Sequence, residues 1–165
     1  MLGKEELLHW MAQQKLTFGY EEHERVLNMA ESGTLRLTLH GARCKNLLVQ
    51  DKQGQCYLIV TTADKSLDLA GTAKALGSKR MSFASAERMH DLLGVRPGSL
   101  SPLALANDKA LSINLVLDSD LAKEPTFLFH PLDSTATVSL PTGELEKFLG
   151  GTGHRIIWAT LPARC

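Results

Sequence analysis

The sequence predicts an α+β fold built around a mixed β-sheet. Three observations support this class: short apolar or alternating segments typical of strands, amphipathic segments typical of helices, and polar turns short enough to join strands as hairpins. Because helices are interspersed among strands joined mostly by hairpins, a mixed sheet is favoured over a doubly wound parallel sheet. The chain has 165 residues, of which 44% are hydrophobic and 22% charged, as in an ordinary globular protein. We therefore expect one domain over residues 1–165.

The first half of the chain contains a helix signal and a hairpin signal. Leu7, Trp10 and Met11 fall on one face of an amphipathic segment, which predicts a helix over residues 4–13. Gly54 closes the polar sequence Asp51-Lys-Gln-Gly between two apolar segments, as in a hairpin turn. The other elements predicted in this half are a helical turn, a strand, the two hairpin strands and a helix, over residues 26–30, 35–39, 47–49, 57–61 and 68–76.

The second half begins with the best-defined helix. Ser85 is a suitable N-cap and Gly94 a suitable C-terminal stop, so a helix is predicted over residues 85–94. Alternating or apolar segments then predict strands over 103–105, 113–117, 127–129, 136–140 and 156–160. A helical turn over 118–122 and a final helix over 142–149 complete the prediction.

Composition excludes several classes of protein. No apolar run approaches the roughly 20 residues needed to cross a bilayer, and the acidic N-terminus is unlike a signal peptide. The three cysteines lack the spacing of a disulfide framework or a zinc site, so a cytoplasmic location and no metal are expected.

The charges are unevenly distributed although the net charge is zero. Residues 41–96 contain nine Lys or Arg and five acids, a surplus of four positive charges. Such a segment can form a positive face for phosphates, and a solvated helix surface explains it equally well.

Lys45 and Asn46 are the first candidate site residues. Lys45 provides a compact cation that can meet a phosphate or a substrate oxygen, although a lysine at the start of a strand is more often simply solvated. The carboxamide of Asn46 can orient an amine or a hydroxyl, and capping of a turn is the alternative.

The segment Gly98-Ser-Leu-Ser-Pro102 is the second candidate. Prolines restrict the backbone on both sides, and Gly98 permits conformations closed to other residues. A loop of this kind can direct several N–H groups at one carbonyl oxygen, although it is also an ordinary tight connection.

His130, at the end of an apolar strand and before Pro131, is the third candidate. Its imidazole can donate, accept or transfer a proton near neutral pH. Other catalytic templates are missing: the sequence has no Gly-x-Ser-x-Gly elbow, no Walker-type loop and no helical pair of metal-binding histidines. A thiol mechanism through Cys44 is disfavoured, because buried cysteines are commoner than nucleophilic ones.

Together these segments resemble the YbaK/ProX family of aminoacyl-tRNA editing domains. The resemblance covers nearly the whole chain, which makes the combination of motifs specific although each motif alone is not. The segments that carry it are Gly41-x-x-x-Lys45-Asn46-Leu47, Asp51-Lys-x-Gly54, Leu76-Gly-x-Lys-Arg80-x-Ser-Phe-Ala-Ser85, Gly94-Val-x-Pro-Gly98-Ser-x-x-Pro102, Asn107-Asp108 and Phe129-His130-Pro131-Leu132.

The resemblance implies a barrel-like mixed sheet flanked by helices and a hydrolase that removes alanine mischarged onto proline tRNA. The implied catalytic residues are Lys45, Gly98 and His130. The implied substrate-binding residues are Asn46, Ser99, Leu100, Ser101, Pro102 and Ser134. The implied tRNA contacts are Arg43, Lys79 and Arg80. The expected mechanism is attack by water on the ester with no covalent intermediate and no cofactor.

The expected partner is a mischarged tRNA, bound at its acceptor stem and terminal aminoacyl-adenosine. Prolyl-tRNA synthetase is a second candidate partner, a membrane is not expected, and the chain is expected to act as a monomer. Two departures from the family pattern affect the mouth and pocket of the site: Arg25 replaces a common proline, and Ser134 replaces a common asparagine. Editing of cysteinyl-, seryl- or threonyl-tRNA and a catalytically silent tRNA- or synthetase-binding module remain the alternatives.

Overall fold

The computed structural model describes residues 1–25 and 35–165. Its helices are α1 Lys4–Gln13, α2 Leu69–Ala75, α3 Ala86–Leu93 and α4 Thr142–Thr152. Its strands are β1 Gly19–Glu22, β2 Ala42–Asp51, β3 Cys56–Thr62, β4 Met81–Phe83, β5 Ile113–Asp118, β6 Thr126–Phe129, β7 Ala136–Pro141 and β8 Ile156–Ala159. Short 3₁₀ helices span Pro97–Ser99, Pro102–Asn107 and Ser119–Leu121.

The strands form one mixed sheet in the order β1-β7-β6-β2-β3-β5-β8, with β4 also paired to β2. β2 is parallel to β6, and β5 is parallel to both β3 and β8, whereas the β2–β3, β2–β4, β6–β7 and β1–β7 pairs are antiparallel. This confirms the α+β class with a mixed sheet flanked by helices. Across the described ranges, no helix is both long and apolar enough to cross a membrane.

Two hydrophobic clusters cover opposite faces of the central strands. Because side chains alternate along a strand, Leu48 and Leu58 enter the larger cluster, which also contains Leu7 and Phe148 from helices α1 and α4. Val49 and Ile59 enter the smaller one. Residues next to each other on β2 are therefore directed to different faces of the sheet.

Capping and turn residues correctly predicted helix α3 and the β2–β3 hairpin. The Ser85 hydroxyl accepts a hydrogen bond from the Arg88 N–H at the start of α3, and Gly94 ends it with φ +70°. In the β2–β3 turn, the Asp51 carboxylate accepts from the Gln53 and Gln55 N–H groups, and Gly54 has φ +88°. The predicted hairpin turn that begins at Asp51 is therefore confirmed.

Two predicted strands are wrong. Residues 35–39 do not form a strand. The backbone N–H groups of Thr38 and Leu39 donate to the side-chain carboxylate of Glu21, so they are not available to pair with a neighbouring strand. Residues 103–105 lie in a 3₁₀ helix, which begins at Pro102 and is capped by the Ser101 hydroxyl accepting from Leu103 N–H. The helical turn predicted over 26–30 lies outside the described residues, and strands β1 and β4 were not predicted.

Candidate active site

The candidate site lies where strand β2 changes neighbours along one edge. Ala42 and Arg43 pair with β6 there, whereas Val49, Gln50 and Asp51 pair with β4. The opposite edge of β2 pairs with β3 from Cys44 to Gln50. Residues 44–47 therefore lie between two diverging strands, and the backbone opens beside them.

A cavity of about 30 Å³ occupies this opening. Its described walls come from β2, β6, β7 and the segment before β2; they are Leu35, Leu37, Arg43, Cys44, Asn46, Leu128, Phe129, His130 and Thr137. Since one water molecule needs about 10–15 Å³ of such volume, the cavity has room for about two waters or another very small group.

Asn46 contributes a buried acceptor to the cavity wall. Its carboxamide oxygen is buried and receives no hydrogen bond from any described residue. Leaving such a group unpaired costs about 1–3 kcal/mol, so a ligand that donates a hydrogen bond here recovers that energy.

His130 contributes an imidazole in a fixed orientation. Its Nδ1 lies 2.7 Å from the Ala136 carbonyl oxygen. Because a carbonyl only accepts, Nδ1 carries the proton, and Nε2 is the unprotonated nitrogen of the neutral ring. Burial lowers the pKa of His130 and the neighbouring His23 lowers it further, against the opposing effects of the Ala136 carbonyl and Asp133.

A second histidine, His23, lies beside His130 with the ring centroids 5.8 Å apart. Its Nδ1 is 2.8 Å from the Glu24 carbonyl oxygen, and its Nε2 is 2.7 Å from the hydroxyl of Thr137. The backbone N–H of His23 donates to the Thr135 carbonyl, which fixes the end of β1 against the start of β7. Two histidines and a buried threonine thus meet at one end of the cavity.

The segment from Gly98 to Pro102 lies behind His130. The Ser101 hydroxyl donates to the His130 carbonyl oxygen at 2.8 Å, so the second and third candidate motifs are brought together through the His130 backbone. Gly98 and Ser99 lie in a 3₁₀ helix, a right-handed conformation open to any residue. Ser99, Leu100, Ser101 and Pro102 are buried.

Lys45 is directed away from the cavity. Its ammonium donates to the Lys65 carbonyl oxygen at 2.6 Å, and its cross-strand partner is Thr61. Lys45 and Asn46 are neighbours in sequence but occupy opposite faces of β2, so the structure does not bring the lysine cation into the pocket that contains Asn46.

The three cations predicted to contact tRNA occupy two places. Arg43 lies in the cavity wall, where its guanidinium donates to the Leu35 carbonyl oxygen. Lys79 and Arg80 are exposed just before β4, and Arg80 has φ +35°. Ser134 is buried in the connection between β6 and β7, four residues after His130.

Cys44 is in the cavity wall but is a poor nucleophile. Its thiol is close enough to the Ala42 carbonyl oxygen to donate to it. Burial, together with the charge of Glu124, raises the pKa of Cys44 to about 12, so the thiol stays protonated at neutral pH. Within the described ranges, no group of three or more His, Cys, Asp or Glu side chains is arranged to hold a metal ion.

The chain matches a known protein family over the range that contains this cavity. The family model described as aminoacyl-tRNA editing domain matches residues 23–148, a range that contains every cavity-lining residue named above. The chain belongs to the aminoacyl-tRNA editing domain family. It is of the YbaK/ProX type, as the sequence motifs predicted.

Relatives of this editing domain match most of its length. The prolyl-tRNA editing protein ProX of Acetoanaerobium sticklandii is 30% identical over 155 residues, which are 93% of this chain and 94% of the relative. A prolyl-tRNA synthetase associated domain-containing protein 1 of Bos taurus is 34% identical over 138 residues, covering 81% and 80% of the two chains. The crystal structure of hypothetical protein APE2540 shares the fold with a TM-score of 0.74 at 22% identity, over 94% of this chain and 97% of that one.

Sequence reasoning missed two residues of this editing domain, His23 and Thr137. They are 114 positions apart and are joined by the β1–β7 pairing, which was not predicted because β1 is only four residues long. The available signal was local to Thr137: a hydroxyl-bearing residue in an apolar strand, seven positions after His130.

Proposed function

We propose that this editing domain is a deacylase that acts in trans on alanine mischarged onto proline tRNA. The single observation that carries the proposal is the cavity beside β2, which combines a small volume with an unpaired buried acceptor on Asn46 and an oriented imidazole on His130. The ProX relative, named for prolyl-tRNA editing, supports the choice of tRNA.

The reaction we propose is hydrolysis of the ester between the amino acid and the terminal ribose. The oxygen of a water molecule bonds to the ester carbonyl carbon, the bond from that carbon to the ribose oxygen breaks, and the ribose oxygen takes up a proton. Neutral His130, with Nδ1–H held by the Ala136 carbonyl, offers Nε2 as the acceptor for a proton from water or from a ribose hydroxyl. Aminoacyl esters are reactive, so orientation and proton transfer supply much of what the reaction needs.

The size of the cavity supports alanine as the residue removed. Proline is larger than alanine by two carbon atoms joined in a ring. Since each methylene that fits a pocket is worth only about 1–3 kcal/mol of binding, the discrimination has to come from exclusion by rigid walls. Leu128 and Phe129 are buried strand residues in those walls and are suited to that role.

A panel of aminoacyl-tRNAs tests the proposal. Purified protein is incubated with Ala-, Pro-, Cys-, Ser- and Thr-charged tRNA, and the remaining ester is measured over time against the spontaneous rate. Fast loss of alanine with little loss of proline is the expected result. Faster hydrolysis of another ester would replace the substrate, and no hydrolysis of any ester would reject the enzyme in favour of a binding module.

An asparagine pair provides the matched control for that assay. Asn46→Ala should lower kcat/KM for alanine removal about 10-fold or more, since the change removes a polar group from the cavity wall. Asn114, a half-buried asparagine on β5, lies outside the cavity, so Asn114→Ala should leave the rate unchanged. Equal rates for the two variants would remove Asn46 from the proposed site.

For Lys45 we propose a contact with a phosphate of the unpaired 3′ end of the tRNA, because the Lys45 ammonium lies across β2 from the cavity. Lys45→Ala should raise KM about 10-fold with little change in kcat. It should also reduce the slope of log KM against log salt by about 0.7, the value for one phosphate contact on a single strand. Steady-state kinetics at several salt concentrations measure both quantities.

The control for Lys45 is Lys147, whose ammonium also donates to a backbone carbonyl, that of Lys15, on the exposed side of α4. Lys147→Ala should change neither KM nor the salt slope. A loss of kcat with unchanged KM in Lys45→Ala would instead show that Lys45 acts on the ester. Exposed Lys79 and Arg80 are proposed to contact the acceptor stem, and their removal should reduce the same slope.

A further inference from the structure

The hydroxyl of Thr137 has a fixed orientation, and this follows from the hydrogen bonds of His23. The Glu24 carbonyl can only accept, so His23 Nδ1, 2.8 Å away, carries the proton of the neutral ring. His23 Nε2 is then an acceptor, and the Thr137 hydroxyl, 2.7 Å away, must donate its hydrogen to it. Thr137 therefore has no hydrogen left to donate, and its oxygen can act only as an acceptor.

Thr137 is one of two side-chain acceptors that the described part of the cavity wall offers to a bound amino group. Its side chain lines the cavity and is almost completely buried. The Asn46 carboxamide oxygen is a second buried acceptor with no donor among the described residues. The unprotonated Nε2 of His130 is a further acceptor, already assigned to the proton of the attacking water or ribose hydroxyl. Among the described residues of this wall, Arg43 carries a charge, and its guanidinium donates to the Leu35 carbonyl.

A wall with several acceptors matches a ligand with several donors. The α-amino group of an aminoacyl ester carries two hydrogens when neutral and three when protonated, whereas a hydroxyl in the same position carries one. A buried site built for a donor-rich group rejects an analogue that leaves acceptors unpaired, because each unpaired group keeps its desolvation cost.

We infer that His23 holds Thr137 as a hydrogen-bond acceptor for the free α-amino group of the substrate, and that the cavity selects α-amino acyl esters over α-hydroxy acyl esters. This inference rests on the proposed function, since it specifies how that site recognises its substrate. His23 is a positioning residue, because it acts through Thr137, whereas Thr137 touches the ligand.

The test compares alanyl-tRNA with lactyl-tRNA, in which a hydroxyl replaces the amino group with almost no change in shape. Each rate is divided by the spontaneous rate of the same ester. The unmodified protein should prefer the alanyl ester about 10-fold or more. Thr137→Val and His23→Phe should reduce that preference to about 2-fold or less, by slowing alanyl hydrolysis and leaving lactyl hydrolysis nearly unchanged.

Thr135 supplies the matched control. Its hydroxyl donates to Asp133 in the same connection between β6 and β7, so Thr135→Val should keep the full preference. Thermal unfolding of each variant verifies that the fold is retained. If Thr137→Val slows both esters by the same factor, the threonine is only structural and the inference is overturned.

Binding separates this inference from the proposed function. Amide-linked analogues of the terminal adenosine, carrying either an alanyl or a lactyl group, cannot be hydrolysed as esters, and their affinities can be measured by calorimetry. A preference for the alanyl analogue that Thr137→Val abolishes supports the inference even if the protein hydrolyses no ester. Ester hydrolysis with equal affinity for both analogues would overturn the inference and leave the proposed function standing.

Discussion

Replacement of His130 by alanine is expected to lower kcat/KM for alanine removal about 100-fold. A positioned acid or base contributes about 10²–10⁴ to a rate, and His130 lies in the cavity wall with its Nδ1 proton held by the Ala136 carbonyl. The loss should be mainly in kcat, because the imidazole is proposed to accept a proton during the reaction. Single-turnover hydrolysis at saturating protein measures this directly.

The pH dependence of the rate tests the same residue. Burial and the neighbouring His23 lower the pKa of His130, so the ring stays neutral to lower pH than an exposed histidine. Neutral His130 is the proposed active form, so activity should be retained through neutral pH and fall only below the usual histidine pKa of about 6.5. In His130→Ala this acidic fall should disappear.

A histidine elsewhere provides the control for both measurements. His90 is exposed on α3, and His90→Ala should keep the rate and the pH profile of the unmodified protein. An unchanged rate in His130→Ala would show that the ring supports the fold through Ala136 and takes no part in the reaction.

The parts of the fold that were predicted correctly depend on signals a few residues apart. Ser85 and Gly94 bound a helix by capping geometry that both residues favour on their own. Asp51 and Gly54 define a turn in the same way. In contrast, residues 35–39 alternate like a strand but are bound by the carboxylate of Glu21, at least 14 positions away, and no local pattern contains that partner.

The candidate site was predicted as a set of residues but not as a geometry. Asn46, His130 and the Gly98–Pro102 segment do come together, through the cavity and the bond from Ser101 to the His130 carbonyl. Lys45 does not join them, because β2 begins at Ala42 and its alternation directs residues 45 and 46 to opposite faces. The strand was predicted to begin only at residue 47, so that alternation was not applied to the motif.

His23 and Thr137 show a further limit of sequence reasoning. Neither residue type at its position is unusual, and their contact depends on the pairing of Glu22 with Ala136 in the β1–β7 ladder. Short strands carry little periodic signal, so a contact that depends on one becomes visible only in three dimensions.

The largest expected effect on stability follows from Asp118, which is fully buried at the end of β5. Its carboxylate accepts from the Thr61 hydroxyl at 2.7 Å, from the Lys65 ammonium at 2.7 Å and from the Asp120 N–H at 3.1 Å. Burial raises the pKa of Asp118, but these hydrogen bonds outweigh it and the net shift is downward. The carboxylate is therefore charged in the fold, and the stability it contributes at neutral pH should be lost as the pH falls below about 4.

Asp118→Ala should lower the free energy of unfolding by about 3–5 kcal/mol, because it leaves Thr61 and the largely buried Lys65 without their shared partner. For a protein of this size that corresponds to a fall in Tm of about 6–20 °C. Asp120 is the matched control: it contacts the same Lys65 ammonium at 2.8 Å, but its side chain is 54% exposed. Asp120→Ala should cost less than about 1 kcal/mol, as exposed ion pairs do. Equal losses in the two variants would show that burial does not set the strength of this cluster.

The Lys65 carbonyl also accepts from the Lys45 ammonium, so Asp118→Ala should raise KM for tRNA as well, whereas Asp120→Ala should not.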